Sequence, residues 1–162
     1  MISPKEGVEM KLAVIITTIG TTAVFSTATG AAAPVILPKQ CMVARTVICI
    51  SKADRKLRFI RTGRVALTMD ARFGDARGPG FRTAEGMFSV FRKVAMDYSQ
   101  QYDNAPMPYS MYFHGGQAIH YSYSFAREGY NGSSHGCVNI RDMAKIRWMF
   151  NRVLEGTPVY IY

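Results

Sequence analysis

Cysteine and acidic charge are both scarce in this sequence. Three Cys and eleven Asp plus Glu stand beside twenty Lys plus Arg, for a formal net charge of +9. Only 19% of residues are charged and 48% are hydrophobic, which excludes a disordered polyelectrolyte. The 162 residues suit one domain with a real core. Internal repeats and low-complexity linkers are lacking too, so neither a solenoid nor a string of tethered domains fits. The three histidines, His114, His120 and His135, together with Cys137, match no zinc-ligand spacing, and neither a metal nor an organic cofactor is expected.

The N-terminus differs from the rest. Its charges are Lys5, Glu6, Glu9 and Lys11; Leu12 to Phe25 carries none, and Ser26 to Ala33 consists of small residues. This is the three-part layout of a secretory signal peptide, assigned to residues 1–30, with cleavage after Ala28 or Gly30. The apolar run is shorter than the roughly 20 residues of a membrane span. Counted with the small residues it approaches that length, so the alternative is an uncleaved anchor. Losing residues 1–33 removes two Lys and two Glu, and the mature charge stays +9. In a secreted, extracytoplasmic protein that charge points to an anionic cell envelope rather than to nucleic acid. Export also bears on the thiols. Cys41 and Cys49, eight residues apart, are expected to form a disulfide pinning the mature N-terminus to the first strand, which leaves Cys137 free.

Cys41 to Ser51, rich in Val, Ile and Thr, reads as a strand. Leu57 to Arg61 and Val65 to Met69 read as a hairpin through Thr62-Gly63-Arg64. Phe73 to Arg82 is a Gly-rich loop, and Met87 to Phe91 a strand. Met96 to Pro108 is polar and proline-interrupted, hence irregular. Tyr109 to Phe113 and Gln117 to Tyr121 are two more strands. One helix is expected: Asp142 caps it, Met143, Ile146, Phe150 and Val153 recur at helical spacing, and Gly156 and Pro158 stop it. Thr157 to Tyr162 closes the fold as a strand. The class is mainly β with one packed helix, an α+β domain.

A nucleophilic Cys needs a base or cation beside it and backbone N–H groups aimed at the developing oxyanion. Gly132-Ser133-Ser134-His135-Gly136-Cys137 offers both. Gly136 permits a tight turn and, with Cys137, supplies candidate oxyanion donors. Two histidines are candidate bases. His135 shares a face with Cys137 if the segment is extended, and His120 ends a predicted strand. Spacing alone does not choose between them.

His120 followed by Ser134-His135-Gly136-Cys137-Val138-Asn139 resembles the signature of the L,D-transpeptidase (YkuD-like) catalytic domain. Arg82-Thr83-Ala84-Glu85-Gly86-Met87-Phe88-Ser89-Val90 is similar to the upstream motif of that family, with Ala84-Glu85 in place of the usual Pro-Thr. Met107-Pro108-Tyr109-Ser110-Met111-Tyr112-Phe113 with Ala118-Ile119-His120 also resembles it. The resemblance covers residues 43–162 and implies a β-sandwich catalytic domain. It implies Cys137 as nucleophile, His120 as base oriented by a backbone carbonyl near Tyr121 or Ser122, and Gly136 and Cys137 as the oxyanion hole. Ser134 and His135 would shape the site, and Asn139 and Arg141 would buttress the loop or touch substrate carboxylates. Arg141, beside Asp142, has an ion-pair role as its alternative.

The implied function is peptidoglycan 3→3 cross-linking in cell wall biogenesis. The partners would be donor and acceptor stem peptides, with carbapenem-type β-lactams as inhibitors. The alternatives are an L,D-carboxypeptidase, another secreted cysteine hydrolase of wall peptides, or a non-catalytic envelope-binding domain.

Overall fold

The run Thr-Val-Ile-Cys-Ile-Ser forms strand β1 (Thr46–Ser51), buried from Val47 onward. Burial on both faces requires strands on both sides and a layer over each face. The computed structural model describes residues 35–75 and 81–162. The predicted signal peptide lies outside these residues, as does part of the Gly-rich loop.

Eight further strands follow among the described residues: β2 (Lys56–Arg61), β3 (Arg64–Arg72), β4 (Gly86–Ser89), β5 (Arg92–Tyr98), β6 (Pro106–His114), β7 (Gln117–Tyr121), β8 (Val138–Ile140) and β9 (Pro158–Ile161). They form one sheet in the order β4-β9-β1-β2-β3-β8-β7-β6-β5. The pairs β1–β9 and β7–β8 are parallel, and the others are antiparallel. Alternate side chains from most of its strands enter one core: Ile48, Ile50, Leu57, Phe59, Met69, Met111, Ile119, Val138, Ile140 and Val159. Helix α2 (Met143–Phe150) adds Ile146 and Met149. Each fully buried large side chain contributes about 1.5–3 kcal/mol through removal from water. On the opposite face of β1, Val47 and Cys49 pack with Cys41 and Ile60, and Cys41 and Cys49 form a disulfide with Cα atoms 5.7 Å apart.

The mainly β class with a packed helix is the class expected, but several elements differ. Cys41 is not in a strand. It lies in a 3₁₀ turn over Lys39–Met42, folded back by its disulfide, and β1 starts only at Thr46. A second helix, α1 (Tyr123–Glu128), has a Ser122 N-cap whose hydroxyl accepts from Phe125 N at 3.2 Å. Six residues are too few for a helical period to be read from sequence. Strand β5 takes in Met96 to Tyr98, expected to be irregular, together with the unassigned residues before them, and β6 runs through Pro106 and Pro108. The prolines pair with β5 as Tyr98↔Pro106 and Met96↔Pro108. The pairing of β6 with β7 begins only at Met111, so their missing N–H groups fall where β6 is paired on one side.

Helix α2 is capped as expected, Asp142 Oδ1 accepting from Lys145 N at 2.9 Å. It ends at Phe150 rather than Val153. There Lys93 Nζ donates to the carbonyls of Phe150 at 2.7 Å and Val153 at 2.5 Å, a cation satisfying carbonyls at a helix C-terminus.

Candidate active site

Strands β7 and β8 run side by side in parallel, with Ile119↔Val138, His120↔Asn139 and Tyr121↔Ile140 in register. Ile119, Tyr121, Val138 and Ile140 face the core. The two-residue alternation of a strand then puts Ala118, His120 and Asn139 on the other face. Cys137, at the head of β8, joins them: the Ala118 N–H donates to Cys137 Sγ at 3.4 Å. Tyr112, opposite Ala118 on β6, extends this wall. Its hydroxyl donates to Asp97 Oδ2 at 2.9 Å, and burial together with that carboxylate pushes the phenol up to about 12.

His120 is 8% exposed. Its Nδ1 lies 2.7 Å from the carbonyl oxygen of Tyr121. A carbonyl only accepts, so Nδ1 carries the proton and Nε2 is the basic nitrogen. Burial lowers the imidazole from 6.5 to about 4, against the Tyr121 carbonyl and the Asn139 side chain, which favour the charged ring; nearby Arg72 lowers it further. Burial pushes the Cys137 thiol up, and the Ala118 N–H pulls it partly back. At rest the Cys137 thiol and the His120 imidazole are therefore both neutral.

This has a consequence for stability. The unfolded chain takes up a proton at His120 near pH 6.5, which the folded domain refuses until about pH 4. Stability should thus fall as pH drops through that window, by about 3 kcal/mol in all, with no contribution from this group above it. Denaturant midpoints measured from pH 7.5 downward should show this slope and lose most of it in His120→Gln. An unchanged slope in the variant would assign the effect to other groups.

The turn before β8 is braced from several sides. Ser134 N donates to the Phe73 carbonyl at 3.0 Å. Ser134 Oγ donates to the Cys137 carbonyl at 2.5 Å and accepts from Gly136 N at 3.2 Å. In the resting structure the Gly136 N–H is therefore engaged, and it reaches an oxyanion only by leaving that hydroxyl. Gly136 has φ 107°, a left-handed conformation that favours glycine.

The bend at Gly136 also settles where His135 goes. The segment is not extended, so the two-residue spacing does not align His135 with the thiol. His135 is exposed and its ring stacks on Tyr102, centroids 3.9 Å apart at 21°, with Phe81 at 5.1 Å. Asn139 is buried and aligned between Arg72 on β3 and His120 on β7. Arg141 pairs with Asp70 rather than Asp142, and its guanidinium lies over Phe125 and Tyr130. Asp142 is occupied in capping α2.

Two residues that the sequence does not single out hold the turn in place. Thr83 is fully buried. Its Oγ1 accepts from Gly74 N at 2.9 Å and donates to the Cys137 carbonyl at 3.4 Å, and its own carbonyl accepts from Lys52 Nζ at 3.2 Å. Its place just before Gly86 in the upstream motif was the available signal. Arg72, also buried, donates to the Gly129 carbonyl at 3.0 Å and Ser124 Oγ at 2.6 Å, tying α1 and the following loop to β3. A charged residue near the inner end of a strand was its only mark.

Residues 45–161 match the model of the L,D-transpeptidase catalytic domain. Similar solved structures include an L,D-transpeptidase from Xylanimonas cellulosilytica, 29% identical with TM-score 0.62, covering 74% of this chain and 61% of that one. A Cys-to-Ser variant of the Enterococcus faecium L,D-transpeptidase is 26% identical with TM-score 0.61, covering 75% and 51%. An L,D-transpeptidase in complex with imipenem is 23% identical with TM-score 0.62, covering 73% and 59%. The chain thus spans between about half and three fifths of the length of these structures. No curated protein matches it. The family model spans nearly all of the folded domain, and the chain belongs to the L,D-transpeptidase catalytic domain family.

Proposed function

We propose that this protein is a secreted peptidoglycan L,D-transpeptidase with Cys137 as nucleophile and His120 as base. The observation that carries it is the placement of the Cys137 sulfur against Ala118 N, on the strand face that bears His120, whose Nδ1–H is held by the Tyr121 carbonyl. That arrangement leaves Nε2 as the basic nitrogen on the thiol's side of the sheet.

Sulfur attacks the carbonyl carbon at the L-centre of the third stem residue while the thiol proton passes to His120. The C–N bond to D-Ala breaks, its nitrogen takes that proton, and a thioester remains. A side-chain amine of a neighbouring stem then attacks, giving up a proton through His120. The C–S bond breaks and the thiol re-forms. Oxyanion donors come from the Gly136–Cys137 backbone, and Ser134 and Thr83 fix the turn that presents them. The Cys41–Cys49 disulfide supports an oxidising, extracytoplasmic compartment.

A carbapenem tests this reading, since its strained amide acylates a thiol placed for amide attack. Incubation with imipenem should add one drug mass to the intact protein and none to Cys137→Ala. An unchanged mass in folded wild type would sink the proposal. If water replaces the acceptor amine, the same site is an L,D-carboxypeptidase. With tetrapeptide stems, cross-linked dimer supports transpeptidation, and free tripeptide alone supports hydrolysis.

A further inference from the structure

At the hairpin end of β2 and β3, far from Cys137, positive charge is left without counter-charge. No Asp or Glu occurs among residues 35–53 or 55–69. The cations of these strands that are paired sit at the opposite end, as Arg58–Asp54 at 2.6 Å and Lys56–Asp70. Among the described residues, Lys39, Arg45, Arg61 and Arg64 have no ion-pair partner. Arg61 and Arg64 face each other across the turn, Arg61 is in register with Thr46, and the Arg45 carbonyl accepts from Thr62 N at 2.7 Å. Lys39 belongs to the disulfide-tied turn that leads into this segment.

Apolar side chains stand exposed among these cations. Met42 and Val43 are 52% and 58% exposed and Val65 42%. Met42 lies over the turn itself, its Cε 3.4 Å from where a Cβ on Gly63 would be. A polyanion in water would need only the cations. Cations ringing exposed aliphatic side chains fit a surface with anionic headgroups outside and hydrocarbon just beneath. We infer that this end of the domain docks on an anionic phospholipid surface, with Arg45, Arg61 and Arg64 on headgroups and Met42, Val43 and Val65 entering the interface.

Strand and turn residues make this contact, and among the described residues no helix is long and apolar enough to cross a membrane. The orientation it sets is useful. β3 runs from Arg64 at the docking end to Arg72, about 26 Å at the rise of an extended strand, and Phe73 beyond it braces the catalytic turn. The Cys137 end therefore points away from the lipid. The inference is independent of the chemistry proposed above and stands or falls separately from it.

Co-sedimentation of the full chain with vesicles tests it. One set contains equal parts phosphatidylglycerol and phosphatidylcholine, the other phosphatidylcholine alone; the difference isolates headgroup charge from any contribution of the apolar N-terminal run. Arg61→Gln/Arg64→Gln should lower the phosphatidylglycerol-dependent partition about thirtyfold without changing Tm. Arg127→Gln/Arg147→Gln, exposed and of equal net charge, should leave it nearly unchanged. Raised salt should release the wild type. Equal losses from both pairs would reduce the effect to bulk charge and overturn the docking surface, as would indifference to phosphatidylglycerol. Met42→Ser/Val43→Ser should weaken binding as well; binding untouched by that change would mean a polyanion site and overturn the lipid assignment.

Discussion

Cys137→Ser is expected to cut turnover of a stem tetrapeptide by about four orders of magnitude or more, with the fold and Tm intact. The resting site explains the size of the loss. Burial keeps His120 deprotonated down to about pH 4, so it is ready to accept a proton at neutral pH but is a weak base. A thiol, raised by its own burial yet held by Ala118 N–H, still gives up its proton as sulfur attacks. A serine hydroxyl, far less acidic, does not give its proton to so weak a base. His120→Gln keeps a ring-sized polar group but no base, and should cost about three orders. The acid limb of kcat/KM should accordingly fall near pH 4 rather than near 6.5. Single-turnover release of D-Ala by each variant checks these values; a Cys137→Ser enzyme within tenfold of wild type would remove Cys137 from the chemistry.

Gly74→Ala should be the most damaging change outside the reacting pair. A Cβ at Gly74 would overlap the Phe81 carbonyl oxygen and lie 2.5 Å from Gly136 N and 2.8 Å from Gly136 Cα. All three are backbone atoms, so no side-chain rotation relieves them, and Gly136 adjoins Cys137, the proposed nucleophile. Overpacking of this kind costs about 3 kcal/mol or more, a Tm drop of about 10 °C for a domain of this size. Any fraction that folds must displace the turn, and a shift of about 1 Å at a reacting group is enough to lower kcat a hundredfold. Gly116→Ala, with open space around its Cβ, is the control and should stay near wild type in both measurements. A Gly74→Ala protein matching that control would show that the loop before residue 75 does not press on the catalytic turn.

How far the sequence was legible depended on how local each signal was. The β2–β3 turn was readable because Gly63, at φ 72°, is a residue suited to that backbone. Helix α2 was readable because its cap and its apolar spacing lie within a dozen residues. β5 was not: Arg-Lys-Val-Ala-Met-Asp-Tyr is an edge strand, largely exposed, and lacks the apolar alternation that burial on one face would impose. The site shows the same division. Cys137 stood out as the thiol left over from a pair. The choice of base did not, because a two-residue spacing is informative only on an extended backbone, and Gly136 bends that segment. Thr83 gained its place from a loop closure joining Gly74 to Cys137, 63 residues apart, which no local pattern encodes.

Strand β9 lies between β1 and β4, pairing with the first strand in parallel and the fourth antiparallel. Its contact with β1 joins Ile48 to Val159, 111 residues apart in the sequence. Until β9 docks, β1 has an empty flank and β4 has no neighbour, so the hairpins can form but the core around Val159 and Ile161 cannot close. Closure waits for that long-range contact, which makes folding slow. A chain in that waiting state keeps an unpaired flank on β1, and deleting residues 158–162 should trap it there.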